Sequence, residues 1–176
     1  MTLTLATEAP PFDLPGVDGR NHSLDDYSDV PALAVVWSCN HCPYVQAWEG
    51  RMIELEREYG DRGFRLVAIN SNDAENYPED SFDAMQKRAR EQGFNFDYLH
   101  DEDQSALRAY GAERTPEVFL FDRDRRLVYH GAIDDSREER AVTQRYLRDA
   151  VEAVIAGEQP PLAETPAVGC SVKWKA

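Results

Sequence analysis

An unbroken apolar run, Leu33-Ala34-Val35-Val36-Trp37, leads through Ser38 into Cys39-Asn40-His41-Cys42-Pro43 and then into residues with helical periodicity. A strand without polar alternation is buried on both faces, as at the centre of a sheet covered by helices on each side. After the cysteines, Val45, Trp48, Met52, Leu55 and Tyr59 recur in steps of three and four. That spacing predicts a helix with one apolar stripe, and Gly60 is placed to stop it. A central strand that delivers Cys-x-x-Cys to the head of a helix leaves few folds open.

The same placement fixes the chemistry to be expected. Backbone N–H groups and the helix dipole stabilise a thiolate at a helix N-terminus. The spacing puts Cys39 just outside the helix, as the more exposed, attacking thiol, and Cys42 inside the first turn, where it would resolve a mixed disulfide. Pro43 suits the first turn because its φ is already helical and its missing N–H would go unused. His41 is expected to donate to the Cys39 thiolate, or attract it as a cation, and so to make the couple more oxidising than a Gly-Pro spacer would.

Further along, Phe12 to Leu14 and Asn21 to Leu24 flank the turn-rich Pro15-Gly16-Val17-Asp18-Gly19 and predict an N-terminal hairpin. Phe64 to Ile69 reads as a second parallel strand, and a helix is expected from about Glu79 to Gln92, after Pro78 and before Gly93. Phe96 to Leu99 reads as a short strand and Asp103 to Tyr110 as a short helix. Val118 to Phe121 and Leu127 to Tyr129 bracket Asp122-Arg123-Asp124-Arg125 as antiparallel strands. A last helix is expected from Glu139 to Ala156. This order predicts an α/β, thioredoxin-like fold with a central mixed sheet flanked by helices. The domain would span residues 1–156, with 1–30 as the hairpin extension, and 157–176 would be a tail that wraps the body or is mobile.

The string Trp37 to Val45, the later Ile69-Asn70-Ser71-Asn72-Asp73-Ala74, Thr115-Pro116 ahead of Phe119-Leu120-Phe121-Asp122, and the terminal Gly169-Cys170-Ser171-Val172-Lys173-Trp174-Lys175 are together similar to thioredoxin-superfamily proteins of the AhpC/TSA type. The resemblance implies a cis proline at Pro116 beside the dithiol, with the backbone of Thr115 pairing with a bound partner like an added strand. Trp37, Asn40, His41, Pro43, Arg114, Thr115 and Pro116 form the expected tuning and partner-binding set. The strand Leu33 to Trp37 lacks the buried carboxylate that often serves as proton shuttle under the second cysteine. Asp73, Glu75 or water would replace it, although Asp73 also suits a turn or cap. Arg114 could lower a thiolate pKa by its charge, or be a solvated side chain.

Cys170 is a possible third redox cysteine. Gly169 permits close approach, Lys173 and Lys175 would favour a thiolate, and Trp174 could anchor the tail on an apolar groove. If the tail folds over the site, Cys170 could form a disulfide with Cys39 or Cys42; a free surface thiol is the alternative. The leading functional expectation is thiol–disulfide oxidoreductase, exchanging with a protein or small-molecule thiol or disulfide and needing no cofactor beyond the Cys39–Cys42 pair. An antioxidant thiol peroxidase is the runner-up. Its usual Pro-x-x-x-Thr/Ser-x-x-Cys is not met, because the required positions hold Ala32 and Val36 when framed on Cys39, and Val35 and Cys39 when framed on Cys42. A zinc or copper(I) module built from Cys39, His41, Cys42 and Cys170 is the least favoured reading, and no metal is expected.

A net charge of −14 argues against nucleic-acid or anionic-membrane partners. The 176 residues suit one domain. The start lacks a basic, apolar leader and no run is long enough to span a bilayer, so a cytoplasmic location is expected, where Cys-x-x-Cys is more often catalytic than a structural staple. Only Lys87, Lys173 and Lys175 stand against sixteen arginines. Adaptation to high salt and a genome-composition bias both account for that.

Overall fold

Alternation along the central strand decides how the molecule is layered. In the computed structural model, which describes all 176 residues, the first strands β1 (Asp13–Pro15) and β2 (Asn21–Ser23) form the antiparallel N-terminal hairpin. Strand β3 (Ala32–Trp37) is wholly buried, with Ala32, Ala34 and Val36 in one apolar cluster and Leu33, Val35 and Trp37 in another. The two-residue repeat of a pleated strand thus divides the core into two layers.

The first layer receives α1 (Pro43–Tyr59), which contributes Trp48, Met52, Leu55 and Tyr59, together with Met85 of α2 (Phe82–Gln92). Strand β4 (Phe64–Asn70) runs parallel to β3, and β5 (Asp97–His100) runs parallel to β4. The opposite layer holds Leu107 and Tyr110 of α3 (Ser105–Tyr110) against Trp37, with Ala9, Phe12 and Leu14 from the N-terminal segment. The short β6 (Arg114–Thr115) precedes β7 (Glu117–Phe121) and β8 (Leu127–Gly131). Strand β7 pairs antiparallel with β3 and with β8, so the mixed five-stranded sheet runs β5-β4-β3-β7-β8. Helix α4 (Tyr146–Ile155) closes the first layer with Leu147, Ala150 and Val151. The last strand, β9 (Cys170–Ser171), pairs with β6 outside the main sheet.

Several boundaries differ from the sequence reading for local reasons. Helix α1 begins at Pro43, leaving Cys42 as its N-cap with extended φ and ψ of −120° and 121°, not inside the first turn. Gly60 continues into a 3-10 turn, and the left-handed stop falls at Gly63, φ +97°. Helix α2 starts only at Phe82, because Pro78–Asp80 forms its own 3-10 turn and the Ser81 hydroxyl then accepts from the Ala84 amide. Helix α4 is shorter than expected. Residues 132–145 form a loop interrupted by a single 3-10 turn at Glu139–Ala141, and in it Asp134 and Asp135 accept backbone amides of Ser136 and Thr143, side-chain bonding that competes with helix formation.

The tail wraps the body, crossing the ends of β8, β6 and β4. The His130 amide donates to Ala163 O at 3.0 Å, and the Thr165 amide returns a bond to His130 O at 3.1 Å. Beyond β9, the Val172 amide donates to Glu113 O at 3.1 Å and the Asp73 amide donates to Lys173 O at 2.9 Å. Val172, 6% exposed, enters the second core layer as the apolar anchor of this segment, whereas Trp174 remains 50% exposed and fills no groove. No helix is long and apolar enough to cross a membrane.

Candidate active site

The carboxyl end of β3 turns through Ser38 and Asn40 into α1, and a network of buried polar groups fixes that turn. The Asn40 amide donates to Asp80 Oδ1 at 2.6 Å, and its side-chain Nδ2 donates to Glu79 O at 3.0 Å. Tyr98 donates its hydroxyl proton to Asn40 Oδ1 at 2.8 Å, and Gln46 Nε2 donates to Asn40 O at 2.9 Å. Burial, with the Asp80 charge, holds the Tyr98 phenol well above its ordinary pKa, so it stays a donor. Asn40 is therefore the hub that holds the turn between the cysteines.

The carboxylate that reaches the dithiol turn is Asp80, bonded to the Asn40 amide, rather than Asp73, which is equally buried at 2% exposed, or Glu75. Besides Asn40 it accepts from Asn70 Nδ2 at 3.2 Å and Asn72 Nδ2 at 3.0 Å. Asp73 caps its own turn, accepting the Glu75 amide at 3.1 Å and Asn76 Nδ2 at 2.5 Å, and Glu75 is exposed. Trp37 is fully buried and donates its indole N–H to Ser71 Oγ at 3.0 Å. The Ser71 hydroxyl in turn donates to Asp101, which accepts the amides at the start of α3.

The Thr115–Pro116 peptide bond is cis, and Thr115 lies against both sulfurs. Cys39 Sγ lies 3.6 Å from Thr115 Oγ1, and Cys42 Sγ lies 3.5 Å from Thr115 O. Glu117 fixes the approach to this corner: its carboxylate accepts the amides of Glu113 and Arg114, each at 2.9 Å, and pairs with His130 Nε2 at 2.7 Å. Arg114 pairs through its backbone with Ser171, while its exposed side chain makes no ion pair. His41 is exposed and hydrogen-bonded to neither sulfur.

All three cysteines are free thiols, and their arrangement departs from the simple two-cysteine expectation. Cys39 is 2% exposed and Cys42 is 1% exposed, so Cys39 is not an exposed nucleophile. The tail packs against this cluster at Cys42: Cys170 pairs in register with Thr115, and its sulfur is 2.6 Å from that of Cys42. Hydrogen bonding from Cys39 lowers the Cys42 pKa to about 4 against the opposing effect of burial, with further help from Cys170 and from the Val45 and Cys170 amides. The bond to Cys42 chiefly pushes the Cys39 thiol up, and burial and the Asp80 charge add to this. Cys170 rises to about 11, first by burial and then by its bond to Cys42; Lys173 opposes this and is outweighed, so the lysines do not make Cys170 a thiolate. The charge of the reduced site therefore sits on Cys42, at the N-cap of α1, where the helix dipole favours it.

Cys39, His41, Cys42 and Cys170, the set the least favoured reading would use for a soft metal, do not bring their ligand atoms together as one group. The one trio with ligand atoms all within 4.8 Å of one another is Asp18, His22 and Asp97, on and beside the N-terminal hairpin. Asp80, Tyr98 and Glu117 were missed by sequence reasoning because each lies on another element, and only the fold brings it to the site. The signal for Asp80 was present in Pro78-Glu79-Asp80-Ser81 but reads equally well as the acidic first turn of a helix.

The mixed sheet, the dithiol at the head of α1 and the cis proline opposite define a thioredoxin-like redox protein. The sequence model of the AhpC/TSA family matches residues 5–130, and the chain belongs to that family. Thiol-disulfide oxidoreductase ResA of Geobacillus thermodenitrificans is 27% identical over 124 residues, 69% of this chain and 66% of the relative, so the match spans just under two thirds of that protein. The crystal structure of a hypothetical protein from Sinorhizobium meliloti 1021 superposes with a TM-score of 0.94 at 40% identity, covering 100% of this chain and 97% of the other. The thioredoxin domain of a thiol-disulfide oxidoreductase from Bacteroides vulgatus shares the fold, with a TM-score of 0.63 at 16% identity, covering 73% of this chain and 89% of the other.

Proposed function

We propose that this protein is a thiol–disulfide oxidoreductase in which Cys39 and Cys42 interconvert between dithiol and disulfide. A partner disulfide takes up two electrons and two protons to become two thiols, and the two cysteines join; the reverse reaction oxidises a partner. The pair itself is the redox group, with no further cofactor, and the partner is a protein or small-molecule thiol or disulfide. The observation that carries the reading is the depressed pKa of Cys42 beside a second buried thiol, which keeps an attacking sulfur charged at neutral pH.

Asn40 and Pro43 hold the cysteines in this geometry, and Trp37 ties the end of β3 to the start of α3 through Ser71 and Asp101. Thr115, ahead of Pro116, forms a strand edge, and the chain's own β9 pairs with it. His41, exposed beside the cysteines, faces a partner rather than the sulfurs. Reduction of insulin disulfides or of a chromogenic disulfide by dithiothreitol-recycled protein tests the reading. Activity that vanishes in Cys42→Ser is the expected result. Rapid peroxide consumption with no disulfide exchange would instead mark a peroxidase.

A further inference from the structure

The strand edge beside the dithiol already has an occupant, the chain's own tail. Cys170 is in register with Thr115 and Ser171 with Arg114, the pairing an incoming extended segment would make. A Cβ built on Gly169 would lie 2.0 Å from Thr115 O and 2.7 Å from Thr115 C, so only glycine allows the tail this close. The strap is tied on both sides: Thr165 binds His130 and Ala132 before it, and Lys173 and Lys175 bind Asn72, Asp73 and Gln104 after it. Cys170 is thus held in place rather than swinging in solvent, and it is the one partly exposed sulfur of the three.

We propose that Cys170 is a third catalytic cysteine, the sulfur through which the buried Cys39–Cys42 pair exchanges electrons with a low-molecular-weight disulfide. This rests on the oxidoreductase reading above and adds the route and the substrate class. While the strap is seated, a protein partner cannot add a strand at Thr115, whereas a small disulfide needs only the exposed side of Cys170.

The steps balance within the three sulfurs. Cys42, the thiolate beside it, takes the Cys170 proton as the Cys170 sulfur attacks the substrate disulfide. One substrate sulfur becomes bonded to Cys170, and the other leaves as a thiolate that takes the proton from Cys42. Cys42 then attacks Cys170, forming Cys42–Cys170 and expelling the second substrate thiolate, which takes the proton of Cys39. Cys39 attacks Cys42, the Cys39–Cys42 disulfide forms, and Cys170 is released as the thiolate. The substrate disulfide has become two thiols at the expense of two protein thiols, with no other oxidant or reductant.

Oxidised glutathione is the probe. Reduced wild type and variants are mixed with it, quenched in acid at successive times, alkylated and mapped by mass spectrometry. Glutathione should appear on Cys170 in Cys42→Ser, and in wild type a Cys42–Cys170 disulfide should precede Cys39–Cys42. Cys170→Ser should slow glutathione reduction by about tenfold or more while the Cys39/Cys42 couple still titrates with dithiothreitol. Gly169→Ala, which keeps all three sulfurs, should reduce the yield of Cys42–Cys170 with an unchanged far-ultraviolet circular dichroism spectrum. Glutathione found first on Cys39 or Cys42, or a Cys170→Ser variant as fast as wild type, would overturn the relay and leave the dithiol reading standing. A wild type with no titratable dithiol would overturn both.

Discussion

Removing the Cys170 thiol should raise the pKa of Cys42, and the size of the change follows from the bonds at that sulfur. Cys42 is brought to about 4 by donors from Cys39, Cys170 and two backbone amides, acting against burial. A hydrogen bond to a charged group contributes about 1.5–3 kcal/mol. At about 1.4 kcal/mol per pKa unit, the loss of one such donor amounts to about 1–2 units. Cys170→Ala should therefore move the Cys42 midpoint from about 4 to about 5–6. The assay is thiolate absorbance near 240 nm across pH in the fully reduced protein, which needs no reagent to reach the buried sulfur. Wild type should show one thiolate already formed at pH 6, with Cys170 titrating near pH 11. A first midpoint close to 9, or one that Cys170→Ala leaves unmoved, would refute the reasoning.

Because the Cys42 pKa is depressed in the folded state, its contribution to stability is complete above the ordinary thiol pKa and is lost as pH falls through about 4. Urea denaturation of the reduced protein should accordingly show a larger deficit for Cys42→Ser at pH 8 than at pH 5, and equal deficits would contradict the charge assignment. Asp80→Asn removes one of the influences holding the Cys39 thiol up, so in a Cys42→Ser, Cys170→Ser background the alkylation profile of Cys39 should shift to lower pH. Arg51→Ala should cost about 3–5 kcal/mol in urea denaturation, since it leaves buried Asp134 without its 2.7 Å ion-pair partner. A net charge of −14 carries self-repulsion that salt screens, so Tm should rise with molar KCl; a flat response would remove high-salt adaptation as the reason for so few lysines.

Local pattern explains which parts of this fold were legible in the sequence. The apolar run of β3 and the three-and-four spacing of α1 encode their own burial, and Thr115-Pro116 stands out because a proline ahead of a strand needs a reason. Boundaries were weaker wherever side chains bonded to nearby backbone. Asp134 and Asp135 hold a loop where periodicity suggested helix, and Ser81 starts α2 three residues after the expected Glu79. The cysteine assignment failed for a tertiary reason. A place just before α1 suggests an exposed Cys39, but its burial is set by residues distant in sequence, Thr115 among them, that only the fold brings against its sulfur. The anchoring of the tail was likewise assigned to its largest apolar residue, Trp174, when the smaller Val172 is the one facing the core. Asp80 became visible as the buried acid only once β4, β5 and the turn before α2 were placed together.

The central claim, a working dithiol at the head of α1, is tested most directly by titrating the reduced protein in glutathione redox buffers, with quantitative thiol trapping at each point. The account predicts a reversible two-electron transition that includes Cys39 and Cys42 and disappears in Cys42→Ser. Thiols that stay free across the whole range of buffers, or that each form a mixed disulfide with glutathione without joining one another, would contradict it.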